Sequence, residues 1–337
     1  MERDDLSMIA DGLDRMLIGA PLEAIDDARG TGSLADALWS KLTEAGYPKL
    51  CAAEEYGGFG GSFADAAVLA QLTAGHAAAL PLIDTILVVG MLSACGVEAP
   101  ELRMGLADPL DKAAPVPHAE QLDAVLRWNA GCLQLVRLDA SSITPQAKSE
   151  DGSGFTISDG DDVLIEAAAP EWLNAQTCHA IAALARAANM AGAMQAVLTL
   201  TLNYTQEREQ FGRPLAKFQA IQHHLSDIAC ETAASIAAVE MASDALAADP
   251  MCGACIIDEI GIAKIRCGEA AARVAASAHQ AHGAMGFTRE YALGRYTRRL
   301  WQWQDEFGSE TWWAMKLGHG VLTDQPCALW PRISQPI

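Results

Sequence analysis

Apolar residues recur at helical spacing through most of this chain and at strand spacing only in its middle. Ile221, Leu225, Ile228 and Ala229 fall at i, i+4, i+7 and i+8, the stripe of a helix facing a core. Val68, Leu69 and Leu72 do the same after Ser62. Ser62 stands three residues before Asp65, and Ser33 three before Asp36, so each pair can form a capping box with Asp in place of the usual Glu. Residues 1–100 therefore read as helices. Residues 80–97 are apolar but hold Asp84 and two glycines, which predicts a buried helix and not a membrane span. The character changes near Pro109. Segments 123–128, 132–138, 154–158 and 163–166 read as short strands between polar turns bearing Gly and Pro. From Trp172 onward long helices are predicted at about 174–208, 217–248, 258–282 and 309–319. Ala191, Gly192 and Ala193 would let a neighbouring helix come close. The expected fold is mainly α with a small central β-domain: an N-terminal helical domain over 1–105, a β-domain over 106–172, a C-terminal four-helix bundle over 173–325, and a tail over 326–337.

Composition narrows the function classes. A chain of 337 residues, 51% apolar and Ala-rich, can bury a large core in two or three compact regions. Its net charge of −20 argues against a nucleic-acid or anionic-membrane surface, since both select for clustered Lys and Arg. A polyanionic small ligand remains open, because a few placed cations suffice. The start, Met1-Glu-Arg-Asp-Asp5, lacks the basic head and apolar run of a signal peptide. Nine scattered cysteines suggest reduced thiols, so a cytoplasmic location is expected. Cys252-Gly-Ala-Cys255 is a single C-x-x-C without a partner pair and reads as loop thiols. His279 and His282 could share a helix face, but no Asp, Glu or Cys completes a metal set; His223 and His224 are adjacent and cannot. Trp301, Trp303, Trp312 and Trp313 read as core and subunit contacts. Neither G-x-G-x-x-G nor G-x-x-x-x-G-K is present, which removes the standard NAD and ATP readings.

The most informative stretch is 204–219, YTQEREQFGRPLAKFQ. It reads as one helix ending, a turn broken by Gly212 and Pro214, and the next helix starting. Arg208 offers a planar guanidinium suited to phosphate, Phe211 a flat ring, Gly212 a bare backbone and Gln219 an amide. These parts can hold a dinucleotide without a Rossmann loop. About sixty residues on comes a second segment, 280–291, QAHGAMGFTREY, followed by Arg298. Bare backbone at Gly283, Ala284 and Gly286 would allow close approach of a ligand at a helix end.

Together these segments resemble the acyl-CoA dehydrogenase family. That family shows R-x-x-F-G-x-x-L-x-x-x-Q, then A-K (here Ala263-Lys264), then Q-x-x-G-[GA]-x-G-[FY]-x-x-E-Y and a further Arg. The resemblance covers 174–318 well and extends to 1–100, where 54–61 reads EEYGGFGG. It implies a CH–CH oxidoreductase: FAD takes the β-hydrogen of an acyl-CoA thioester as hydride while a carboxylate removes the α-proton. It also implies that Arg208, Gln210 and Phe211, with the bare backbone of Gly212 beside them, meet the pyrophosphate and ribose of an FAD held mainly by a neighbouring subunit. Leu215 and Gln219 would touch its adenine end, and Gln280, Gly283 and Ala284 would approach from across the interface.

The departures from the family matter as much. The middle domain is truncated, and the family's T-E-P-x-x-G-S-D and W-I-T-N stretches, which shield the flavin ring, have no counterpart. Counting from Gly286-Phe287, the family's catalytic Glu falls on Phe307; Glu306 precedes it and is the candidate catalytic residue. Its bland alternative is a solvated carboxylate before the helix beginning near Ser309. The other base position used in the family falls on Ala182, beside Ala183 where the family has Arg. The leading expectation is therefore a short subunit like those of heteromeric (α2β2) bacterial acyl-CoA dehydrogenases, completing the FAD site of a paralogous partner. A steroid-like CoA ester is then the implied substrate and an electron-transfer flavoprotein the implied acceptor. A self-sufficient homo-oligomer using Glu306 and a non-catalytic stabilising subunit are the alternatives.

Overall fold

In the computed structural model of the chain, Ser62 closes its capping box: its N–H donates to Asp65 Oδ2 at 2.7 Å and its Oγ accepts from the Asp65 N–H at 3.2 Å. The structure describes residues 3–20, 33–78, 80–139, 143–145, 155–157, 162–249, 251, 253–288 and 290–323. The Ser33 side chain, Cys252 of the C-x-x-C and the tail at 326–337 lie outside the described residues. The chain divides into two compact units, Met1–Ala185 and Arg186–Ile337.

The first unit opens with helices α1 (Arg3–Ile18), α2 (Ser33–Glu44), α3 (Phe63–Gly75) and α4 (Leu82–Ala94). Leu13, Leu17, Leu42, Leu69, Leu87 and Met91 are fully buried among them. α4 is buried from Leu82 to Leu92, as the apolar run 80–97 predicts. The glycine run between α2 and α3 is required by packing. A Cβ on Gly58 would stand 2.2 Å from the Ala52 carbonyl oxygen, and Gly57 has φ 72°. The strands follow: β1 (Met104–Leu106), β2 (Ala124–Asn129), β3 (Cys132–Arg137), β4 (Ile143–Pro145), β5 (Phe155–Ile157) and β6 (Val163–Ala168). β1, β2, β3 and β6 form one sheet in that order, parallel between β1 and β2 and antiparallel elsewhere; β4 pairs with β5. Thr85 Oγ1 donates to the Met104 carbonyl and accepts from the Met104 N–H, both at 3.0 Å, which ties α4 to β1. Val116, Ala119 and Leu122 pack against Val125, Val136 and Leu138, so the loop before β2 covers one face of the sheet.

Helix α5 (Ala175–Glu207) runs through the division between the units. Among the described residues it alone is long and apolar enough to cross a membrane, and 83% of its apolar window is buried inside the fold. The second unit adds α6 (Gln219–Ala248), α7 (Ala254–His282), α8 (Leu293–Asp305) and α9 (Glu310–Thr323). α7 is the central element, packed against α6, α8 and α9. The stripe on α6 is only partly covered: Ile228 is buried, while Ile221, Leu225 and Ala229 are half-buried. α8 is an addition to the four helices predicted from periodicity. Its apolar face, Leu293, Thr297, Leu300 and Trp303, is buried but lies among three arginines and a second tryptophan, which dilute the pattern.

Candidate functional site

α5 stops at Glu207, and the chain turns at once into a hairpin of β7 (Glu209–Gln210) and β8 (Arg213–Pro214). The sequence predicts a plain turn between helices here, and the strand pair is new. It forms because Phe211 (φ 53°) and Gly212 (φ 77°) both lie in the left-handed region, the requirement of a type I′ hairpin turn. The Leu215 N–H donates to the Arg208 carbonyl at 2.8 Å and closes the base. Asn or Gly is usual at the first turn position. Phe there costs on the order of 1–3 kcal/mol, and the ring gains little in return, being 91% exposed. It meets Phe218 edge-on at 6.1 Å, and the Arg213 guanidinium covers Phe218 at 4.1 Å. Arg208, Gln210, Gly212 and Gln219 are exposed and Leu215 half-buried. A Cβ on Gly212 would meet nothing within 4 Å, so its backbone is bare to any approaching group.

The second segment lies against the first. α7 ends at His282, whose ring stacks on Tyr204 at 4.4 Å, one turn before Arg208. The ends of α5 and α7 therefore meet, and the hairpin and the Gly283 turn share one edge of this unit. Gly283 has φ 59° and ψ −142°, a combination restricted to glycine, and its N–H donates to the His279 carbonyl. Gln280, Gly283 and Ala284 are exposed. Gly286 is buried, and a Cβ there would stand 3.0 Å from His282 Cβ. His279 stacks on Phe287 at 4.5 Å, and its Nε2 faces Thr297 Oγ1 at 3.1 Å. Burial pushes the pKa of both His279 and His282 below the ordinary value. Among the described residues no group of His, Cys, Asp and Glu could hold a metal ion.

The third locus is the turn after α8. Phe307 is buried with φ 53°, and Gly308 has φ 88°. Glu306 is not the solvated carboxylate that its place before α9 suggests. Its side chain is 11% exposed, its Oε2 accepts from Arg186 Nε, and its Oε1 accepts from Gln302 Nε2 at 2.8 Å. The Arg186 guanidinium also sits 5.1 Å over the Phe307 ring. Lys264 of the A-K element is fully buried and donates to the carbonyls of Trp303 (2.9 Å), Gln304 (2.8 Å) and Gly308 (2.8 Å). Burial lowers the Lys264 pKa to about 8, with Glu306 pulling it back up. Both carboxylate oxygens of Glu306 are thus engaged, and two cations neutralise it. Ala182 and Ala183 are buried and carry no acid or base. Sequence reasoning missed Arg186 and the Tyr204–His282 stack. A signal for Arg186 exists: it is the only Lys or Arg in a 33-residue apolar helix, and a cation buried there must find a carboxylate.

Comparison with known proteins agrees with this architecture. Family models match at residues 4–103 (Acyl-CoA dehydrogenase, N-terminal domain) and 172–301 (Acyl-CoA dehydrogenase, C-terminal domain). Acyl-CoA dehydrogenase IpdE2 of Mycobacterium tuberculosis is 31% identical over 271 residues, covering 78% of this chain and 80% of that protein. IpdE2 of Mycolicibacterium smegmatis is 28% identical over 290 residues, with the same 78% and 80% shares. Among solved structures, a chain of the ChsE4-ChsE5 complex from Mycobacterium tuberculosis has a TM-score of 0.78 at 18% identity, covering 96% of this chain and 99% of its own. A chain of the Tcur3481-Tcur3483 steroid ACAD has a TM-score of 0.78 at 22% identity, covering 95% and 98%. These two share the fold. On the breadth of the IpdE2 match and the two domain matches, this chain belongs to the acyl-CoA dehydrogenase family.

Proposed function

We propose that this chain is one subunit of an FAD-dependent acyl-CoA dehydrogenase, and that it completes the flavin site of a paralogous subunit that supplies the catalytic base. One observation carries the reading: a phenylalanine held at positive φ with its ring in water, on the same edge as an exposed glycine turn. Strain of this kind persists where something else over-determines it, and a nucleotide tail seated on the edge would do so. The donor set fits such a tail. The Arg208 guanidinium suits a pyrophosphate; the amides of Gln210, Gln219 and Gln280 suit ribose hydroxyls and base edges; Gly212 and Gly283 leave backbone bare, since an added Cβ would meet nothing within 4 Å.

FAD, when bound, accepts the β-hydrogen of the thioester as hydride. This chain's residues grip and orient the nucleotide end. The α-proton goes to a carboxylate of the partner, because Phe307 offers no acceptor atom and Glu306 is committed to Arg186. Exposed Phe287, Trp301, Trp312 and Met315 supply apolar surface for the subunit contact. The ChsE4-ChsE5 complex and the steroid ACAD, both two-component assemblies of this fold, support a heteromeric arrangement and a steroid-like CoA ester as substrate. An electron-transferring flavoprotein is the acceptor and the cytoplasm the setting. The three-part division at residues 105 and 172 belongs to the same proposal.

The test is flavin absorbance of the chain made alone and made beside a full-length paralogue. The chain alone should be nearly colourless, and the pair should co-purify yellow. A yellow, active single-chain preparation would remove the partner requirement and restore the homo-oligomer using Glu306. In the pair, Arg208→Ala should raise the Kd for FAD about tenfold or more, the worth of one hydrogen bond from a charged group. Glu306→Gln should leave flavin reduction by substrate within about twofold, per assembled molecule counted by gel filtration. Loss of α-proton exchange in that variant would return the base to this chain.

A further inference from the structure

We infer that His282, clamped between Tyr204 and Tyr291, is a positioning residue for the flavin-facing backbone at Gly283 and Ala284. The inference rests on the reading of that edge as a nucleotide grip and adds to it the device that holds the grip in shape.

His282 is buried, and its ring has contacts on three sides. Nδ1 lies 2.8 Å from the Ala278 carbonyl, which can only accept, so Nδ1 carries the proton. In the neutral ring Nε2 is then the acceptor, and it takes the Tyr291 hydroxyl at 3.1 Å. The pKa of His282 is held down, chiefly by burial, which keeps that neutral tautomer in place. Tyr204 stacks on the ring at 4.4 Å with an interplanar angle of 23°, and Tyr291 meets Tyr204 edge-on at 5.8 Å. The Tyr204 hydroxyl reaches the His282 carbonyl at 3.3 Å, a long contact that still favours one orientation of the His282–Gly283 peptide.

The residue after this clamp is the one whose backbone is most unusual. Gly283, at φ 59° and ψ −142°, is free of neighbours on its Cβ side, so local packing does not hold its conformation. Its own N–H bond to the His279 carbonyl holds one side, and the peptide in front, whose carbonyl takes the Tyr204 hydroxyl, holds the other. Directly beyond it, Gly283 and Ala284 present open backbone on the edge beside Arg208. A glycine can swing through a wide range of φ and ψ, and backbone left to swing beyond it loses entropy on meeting a ligand. Fixing the preceding residue removes that loss in advance.

The experiment compares His282→Phe and Tyr204→Phe with Arg208→Ala in the flavin-loaded assembly this chain forms, titrating FAD back into stripped protein by fluorescence. His282→Phe keeps a ring to stack and removes both ring hydrogen bonds; it should raise the Kd for FAD about fivefold. Tyr204→Phe, which loses one long hydrogen bond, should raise it about twofold to threefold. Backbone amide exchange over 283–286 should quicken in both variants, with the melting temperature of the flavin-free assembly within about two degrees of wild type. An unchanged Kd in His282→Phe beside a raised Kd in Arg208→Ala would overturn this inference and leave the nucleotide grip standing. Unchanged values in all three would sink the grip itself and the inference with it. A melting temperature falling in step with FAD affinity would assign the clamp to general stability and also overturn the inference.

Discussion

Arg186→Met is expected to destabilise the Arg186–Ile337 unit by about 3 to 5 kcal/mol. The guanidinium is 3% exposed, and it neutralises a Glu306 carboxylate that is 11% exposed. Met is close to Arg in volume and better suited to an apolar surround, so the loss comes mainly from the charge and only in small part from a cavity. It comes from Glu306, which loses its directly bonded cation and keeps only the more distant Lys264 charge and the Gln302 amide on its other oxygen. The variant also removes the cation from the Phe307 ring, a smaller term of roughly 1 kcal/mol. A double variant separates these contributions. Arg186→Met/Glu306→Met removes both charges, and replacing a whole buried pair by apolar residues is near neutral. It should recover most of the loss in urea unfolding. If the double variant is as unstable as the single one, the pair is not the source of the effect.

Lys264→Met is expected to cost about 2 to 4 kcal/mol, with a distinctive dependence on pH. The ammonium holds three carbonyls, at Trp303, Gln304 and Gly308, and the first two belong to the last turn of α8, where no helical partner remains. Removing the donor orphans them beside the left-handed pair Phe307 and Gly308. Part of this cost is offset, because the fold no longer buries a charge. That offset fixes the sign of the pH effect. Lys264 titrates near 8 in the fold and near its ordinary 10.5 when unfolded. Between those values the unfolded chain binds the extra proton, so wild-type stability from this group rises with pH across the window. The variant lacks the rise. The gap between wild type and Lys264→Met should therefore widen from pH 8 to pH 10, read as the difference between paired urea titrations. A gap that narrows would mean that the ammonium is favoured by folding, against its burial.

Both effects converge on one turn. The resemblance to the family implies a catalytic carboxylate at the position of Phe307; this chain has a ring there and a carboxylate one residue earlier, at Glu306. Glu306 then points to a cation on α5 instead of presenting itself to a substrate. Lys264 gathers the carbonyls of this turn, and its charged side chains form an internally paired set.

Much of the architecture was legible in the sequence alone. Helical periodicity located α5, α6, α7 and α9 to within a few residues, the Ser62–Asp65 spacing foretold a real capping box, and strands β2, β3, β5 and β6 lay where alternation and turn residues put them. The two segments singled out at 204–219 and 280–291 stand together in the fold, joined by the Tyr204–His282 stack. The sequence signals themselves live within windows of a few residues, where backbone propensity and side-chain period act directly. α8 escaped because its arginines hid a good apolar stripe, and the β7–β8 hairpin escaped because a phenylalanine is an unusual choice for a left-handed turn. The rest could be decided only by the folded chain. Arg186 meets Glu306 across 120 residues, Lys264 reaches Gly308 across 44, and Tyr204 finds His282 across 78. No local pattern encodes such pairings, because a buried charge or ring chooses its partner only after packing has removed the water that would otherwise satisfy it.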